Sequence, residues 1–340
     1  MHSTATQYFE IQQINSSIYW LKPHTVKTTS IDQLFDKLQQ FMMLSTELIT
    51  NSSTRGIIYS PPVDDVDYIE LYKAAENNRD FYNKLSKLVL SSTIFQSAKK
   101  PIIGLLEQSC QGTAFSIMLW ASYRIAREDI NIGFLEPNYG IFPGFGGTIV
   151  TSRLIGPEKA IPLLTQGDTY SALEGYQHGV INQLITRQKD PIACAVDCIE
   201  NYIEINKNQV ALRGQRSLEI DEEQLEQASA FVIKRTNMLN PGINACIDVV
   251  KRSLGLPIKD ALLLEAEEFS KSWTSPQALA MLRTRYLGIH QALTLQTENP
   301  PFSVTKVGII GAGMMGAGIA FQAAKSGITA ILSDTNMQRR

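Results

Sequence analysis

The chain has 340 residues, 31 Lys plus Arg, 33 Asp plus Glu, a formal net charge of -2 and 44% hydrophobic residues. This length allows about two domains with substantial cores, and the near-neutral balance excludes the basic stripe of a nucleic-acid binder. No apolar run reaches ~18 residues, so no integral membrane segment is expected. Residues 1–10 lack the charged and apolar regions of a secretory signal. Cys110, Cys194, Cys198 and Cys246 are too few for a disulfide scaffold. A cytoplasmic, globular protein is the expectation.

In chain order, Ser17-Ile-Tyr-Trp-Leu21 and Gly56-Ile-Ile-Tyr59 are β-branched or aromatic runs that predict strands. Pro101-Ile-Ile-Gly-Leu-Leu106 and Asn131-Ile-Gly-Phe-Leu135 are further strand candidates, with helical stretches over 32–48, 68–90 and 112–123. Strands alternating with helices indicate an α/β domain over 1–200. From Pro191 the apolar residues Ile192, Val196, Ile199 and Ile203 recur at helical spacing. Residues 221–296 are almost entirely helical in pattern, interrupted at Pro241-Gly242, Gly255 to Pro257 and Ser275-Pro276. A helical part and linker over 201–300 follows from this. Glu298-Asn-Pro-Pro301 then breaks the chain before a third part, 301–340.

That last part reads strand, glycine turn, helix, strand. Gly311, Gly313 and Gly316 fit the dinucleotide fingerprint G-x-G-x-x-G. The first permits a tight turn, the second lets backbone approach a pyrophosphate, and the third lets helix pack on strand. Phosphates would sit at the helix N-terminus, where free N–H groups and the helix dipole favour anions. Asp334 lies 23 positions after Gly311, near the spacing expected for a carboxylate binding the ribose hydroxyls of NAD. Such a carboxylate would repel the 2′-phosphate of NADP. Only one βαβ unit is present, so the expectation is a Rossmann domain cut short, the front of a longer polypeptide with an incomplete NAD site.

The segment Ile132-Gly-Phe-Leu-Glu-Pro-Asn-Tyr-Gly-Ile-Phe-Pro-Gly-Phe-Gly-Gly147 ends a strand in a carboxylate and enters a glycine-rich turn. It resembles the second catalytic stretch of the crotonase (enoyl-CoA hydratase/isomerase) family. Arg153-Leu-Ile-Gly156 and Ala172-Leu-Glu-Gly-Tyr-Gln-His-Gly-Val180 are similar to the helices that follow it. The order of the parts resembles the multifunctional β-oxidation proteins, among them bacterial fatty-acid oxidation complex α-subunits and peroxisomal bifunctional proteins. The resemblance implies a ββα-spiral domain, acyl-CoA thioester binding, and enoyl-CoA hydratase and 3-hydroxyacyl-CoA dehydrogenase activities. It also implies a thiolase-type β-subunit or a homodimer as partners.

In that family two backbone amides stabilise the thioester enolate, and two glutamates manage a water's hydroxide and proton. Glu136 falls on one of those glutamates. Ser116 stands in place of the other, within Gly112-Thr-Ala-Phe-Ser116, and Thr113 replaces a glycine whose N–H belongs to the oxyanion hole. The other oxyanion loop, Ser60-Pro61-Pro62 running to Asp64 and Asp65, carries two prolines that cannot donate. Glu107 and Gln108 stand where the family has Asn-Gly. An impaired hydratase site is therefore expected. Two other readings remain: a 3-enoyl-CoA isomerase, for which one carboxylate suffices, and a non-catalytic acyl-CoA-binding or assembly module.

Cys194 and Cys198, four apart on one helix face, could ligate metal, but no third ligand is near in sequence, and core packing is the reading adopted. His178 is expected at the surface, the Met42-Met43 and Met314-Met315 pairs in the core, and Asp221-Glu-Glu223 at a helix N-terminus.

Overall fold

The computed structural model describes residues 3–24, 26, 28, 30–62, 80–201, 221–236, 239–294 and 303–336. The chain forms two compact units, Met1–His290 and Gln291–Arg340. In the first, seven strands form one sheet: β1 (Ser3–Ala5), β2 (Phe9–Gln13), β3 (Ile18–Pro23), β4 (Gly56–Tyr59), β5 (Ile102–Leu106), β7 (Tyr123–Arg127) and β10 (Gln183–Ile185), in that order. The first three are antiparallel and the rest pair in parallel from β3 onward. A second sheet joins β6 (Cys110–Gln111), β8 (Asn131–Gly133) and β9 (Thr169–Ser171).

Every residue of β4 and β5 is buried. A parallel sheet covered on both faces favours such continuous apolar runs, which is why these two strands are legible in the sequence. One face carries Ile58, Ile103, Leu105 and Ile125 against Ala195, Cys198 and Ile199 of the helix Pro191–Glu200. The other carries Ile57, Tyr59, Ile102 and Leu106 into the main core.

The helices are α1 (Ile31–Thr50), α2 (Phe81–Ser91), α3 (Thr93–Ser97), α4 (Gly112–Met118), α5 (Gly147–Ile155), α6 (Pro157–Thr165), α7 (Ala172–His178) and α8 (Pro191–Glu200). They continue with α9 (Glu222–Thr236), α10 (Pro241–Arg252), α11 (Ile258–Trp273) and α12 (Pro276–Leu282). The breaks expected at 241 and 275 are helix starts: Asn240 and Ser275 accept from Ile243 N and Ala278 N, with proline just inside each helix. Likewise Asp221 accepts from Gln224 N at the start of α9.

Some expectations change. The helix expected over 112–123 ends at Met118, because Ser122 exchanges hydrogen bonds with the Ile102 backbone and draws Tyr123 into β7. The strand from Asn131 stops at Gly133. None of β1, β2 and β7 is among the strands expected: β1 has three residues, β2 alternates Phe9 and Ile11 with Glu10 and Gln12 over only five, and β7 sets Arg124 and Arg127 around Ile125 and Ala126. Of the methionine pairs, Met42 is buried, whereas Met43, Met314 and Met315 are exposed. The first part of the helix expected over 68–90, and the break at 298–301, lie outside the described residues.

The second unit contains β11 (Lys306–Ile310), α13 (Met314–Lys325) and β12 (Thr329–Ser333), with the two strands in parallel register. No described helix is long and apolar enough to cross a membrane.

Candidate active site

Glu136 opens the 3-10 turn Glu136–Tyr139 that follows β8, with Pro137 next to it. It is 5% exposed. Its Oε2 has no hydrogen-bond partner among the described residues, and burial pushes the carboxyl up to about 7 against the pull of the Glu136 and Leu135 amides. Gly112, at the head of α4, faces it: a Cβ there would stand 3.4 Å from Glu136 Oε1, and its φ of +58° is one that glycine tolerates best.

Ser116 lies one turn along α4, fully buried, with an Oγ that no described group hydrogen-bonds. It packs against Gly147 so closely that a Cβ at Gly147 would overlap the hydroxyl. Gln111 provides no side-chain cap for α4, so that side chain does not satisfy the first-turn amides, Thr113 among them.

Of the loop after β4, Ser60, Pro61 and Pro62 are described, and none of these three offers a free amide N–H. Ser60 N donates to Leu21 O, Ser60 Oγ accepts from Trp20 Nε1, and Pro61 and Pro62 have no N–H. Asp64 and Asp65 lie outside the described residues. Beside this loop runs a groove of about 360 Å³ lined by Trp20, Lys22, His24, Ser60, Glu107 and Gln111, among others, with Lys22 Nζ 5.0 Å from the Trp20 ring centre. Cys110 and Ala114 line its inner side, near the head of α4.

A second buried carboxylate that the motifs do not announce is Glu265, on α11. Its Oε1 accepts from Gly146 N at 2.6 Å and its Oε2 from Ile149 N at 2.9 Å. Burial pushes its carboxyl up to about 8 against those amides, and the charge of Glu136 adds to the rise. One sequence signal points to it: Glu265 interrupts the apolar stripe Leu262, Ala266, Phe269.

In the second unit Gly311 has φ +98°, and a Cβ at Gly316 would overlap Gly311 O, so both glycines are sterically required. Gly313 caps α13 without a side chain. The Asp334 carboxylate accepts from Ala312 N and Asn336 N, both at 2.7 Å, which sets the acid beside the glycine turn. No described group of His, Cys, Asp and Glu could hold a metal ion. Cys198 faces the sheet and lies 3.1 Å from Gln183 Oε1, and His178 is exposed.

Residues 66–234 match the enoyl-CoA hydratase/isomerase family and residues 306–340 the NAD-binding domain of 3-hydroxyacyl-CoA dehydrogenases. The first unit shares its fold with an enoyl-CoA hydratase from Bacillus halodurans (TM-score 0.54, 17% identity, 82% of this chain and 100% of that one). It also resembles a carnitinyl-CoA dehydratase from Mycobacterium thermoresistibile (TM-score 0.59, 12% identity, 86% and 94%). The chain thus joins a crotonase-fold, enoyl-CoA hydratase/isomerase domain to the first part of a dehydrogenase NAD-binding domain.

The chain is also similar to fatty acid oxidation complex α-subunits. It is 26% identical to that of Psychrobacter cryohalolentis over 305 residues, 85% of this chain and 41% of the relative. To that of Acinetobacter baumannii it is 28% identical over 248 residues, 71% of this chain and 34% of the relative. The chain spans about two fifths of the length of the first of these.

Proposed function

We propose that this chain is the acyl-CoA-handling part of a fatty-acid β-oxidation protein of the enoyl-CoA hydratase/3-hydroxyacyl-CoA dehydrogenase type, with an impaired hydratase site. Residues 1–200 and the helical part 201–300 serve the acyl thioester, and 301–340 begin the NAD-binding part. The observation that carries the reading is the pairing at α4: Glu136 faces its head, the partner position is the neutral hydroxyl of Ser116, and the other buried carboxylate, Glu265, is engaged by the Gly146 and Ile149 amides. Hydration needs hydroxide delivered to C3 and a proton to C2, and a serine hydroxyl does not titrate near neutral pH. Loss of one acid/base lowers the rate by roughly 10²–10⁴. The tied-up Ser60 amide and its two following prolines take a further donor from the thioester oxygen, worth roughly 10²–10³.

A second reading is favoured by the ionisation of Glu136. Moving a double bond from C3 to C2 needs one group to take a proton from C2 and return it to C4. A carboxyl titrating at about 7 serves as base and then acid at neutral pH. Calorimetric titration with butanoyl-CoA, followed by crotonyl-CoA and 3-hexenoyl-CoA assays, tests both readings. Binding with negligible hydration supports the impaired site, and hydration at the rate of ordinary hydratases overturns it. Isomerisation that disappears in Glu136→Gln supports the second reading. Binding with no turnover of either substrate leaves an assembly module.

Gly311, Gly313, Gly316 and Asp334 would hold NAD, the glycines against its pyrophosphate and Asp334 near the ribose hydroxyls. Bound there, NAD would accept hydride from a 3-hydroxyacyl substrate. Asp334→Asn is expected to narrow a preference for NAD over NADP in direct binding.

A further inference from the structure

We infer that Glu265 is a positioning residue for Glu136, acting through the loop that joins Glu136 to α5. The inference rests on the second reading above for its kinetic readout only.

Between the 3-10 turn that ends at Tyr139 and α5, which begins at Gly147, the loop 140–146 has no regular structure to hold it. It contains Gly140 at φ +76°, Phe145 at φ +56° and Gly146 at φ +84°. A left-handed phenylalanine is strained by about 1–3 kcal/mol and persists only where its surroundings over-determine it. Those surroundings come from one face of α11. Glu265, Phe269 and Ser272 recur at i, i+4 and i+7, a single stripe of that helix. Glu265 accepts from Gly146 N, the amide directly after Phe145, and from Ile149 N in the first turn of α5. The Phe269 ring lies 6.1 Å from that of Phe145 and 5.6 Å from that of Phe142. It presses on Gly144, where a Cβ would stand 2.7 Å from its Cδ2. Ser272 Oγ donates to Gly140 O at 3.3 Å.

The opposite end is held by α10. Asn240 Nδ2 donates to Pro137 O at 2.7 Å, and Gly242 packs directly on the Ile141 backbone. The segment from Glu136 to α5 is therefore moulded by helices more than a hundred residues away. Within that mould, among the described residues, Glu265 is the one carboxylate bound to backbone amides on both sides of the Gly147–Ser116 contact. A misplacement of about 1 Å at a catalytic group can lower the rate ~10²-fold, so slack at this anchor reaches the chemistry.

The test uses the whole chain with Glu265→Asp, which keeps the carboxyl group but is too short to span both amides. Expected are amide exchange at Gly146 and Ile149 at least ~10-fold faster, and a shifted or broadened 13C carboxyl resonance of Glu136 at pH 7. The kcat for 3-hexenoyl-CoA should fall ~10–100-fold with KM within about threefold. Freed amides with the Glu136 resonance and kcat at wild-type values would overturn the inference and leave Glu265 a helix cap alone. If the wild type does not turn over, the resonance still decides, so failure of the isomerase reading is separable. If Glu265→Asp does not fold, Glu265→Gln is read by the same amide and carboxyl signals.

Discussion

Glu136 is an acid moved to neutral pH by its surroundings: burial raises it to about 7, and no cation among the described residues reverses that. As a base it must be ionised, so isomerase kcat is expected to rise as pH goes from 6 to 8 with a midpoint near 7. Glu136→Gln should lower kcat at least ~10²-fold across that range, measured by a stopped or continuous thioester assay. Glu136 was legible because the glycine-rich turn after it is a motif. Glu265 was not, because its partners are backbone amides more than a hundred positions distant, and backbone leaves no residue type in the sequence to read. A carboxylate within an apolar helical stripe is the one trace it left.

Among the elements, an unbroken apolar or aromatic run is what makes a strand legible. β4 and β5 are covered on both faces and announce themselves as unbroken apolar runs, whereas β2 is half-buried along most of its length and β7 begins and ends in polar residues. The inner face of β7 is held instead by buried Arg124, whose Nε donates to Val180 O and Nη1 to Ala121 O, a polar solution that no hydrophobic pattern reveals. The junction of α4 and α5 has no spare volume. Gly147→Ala should destabilise by roughly 1–3 kcal/mol in denaturant unfolding, because its methyl would overlap Ser116 Oγ. The loss should shrink by at least about 0.5 kcal/mol in a Ser116→Ala background, since neighbours in contact are not additive. Equal losses in both backgrounds would show that the clash is elsewhere.

For the first unit as a whole, two buried acids set the response to pH. Glu136 and Glu265 have folded-state values of about 7 and about 8, against an ordinary 4.5. Between about pH 4.5 and 8 the folded chain therefore binds more protons than the unfolded chain, and stability falls as pH rises through that window. The stabilisation is complete only below the unfolded value, and the loss by pH 8.5 is on the order of a few kcal/mol. Thermal unfolding from pH 5.5 to 8.5 should show a falling midpoint, with the slope reduced in Glu265→Gln. A midpoint that rises over this range would contradict the burial assigned to both groups.

The stripe on α11 also bears on the order of events at the ribosome. Glu136 is synthesised well before Glu265, and closing so long a loop is slow relative to forming local helices. The nascent chain can pair its central parallel strands early, yet the turn that carries Glu136 has nothing to shape it until translation has moved past Trp273. Native geometry at Glu136 is thus expected late, and a premature stop ahead of that helix is expected to leave a chain with its sheet in place and this turn unshaped.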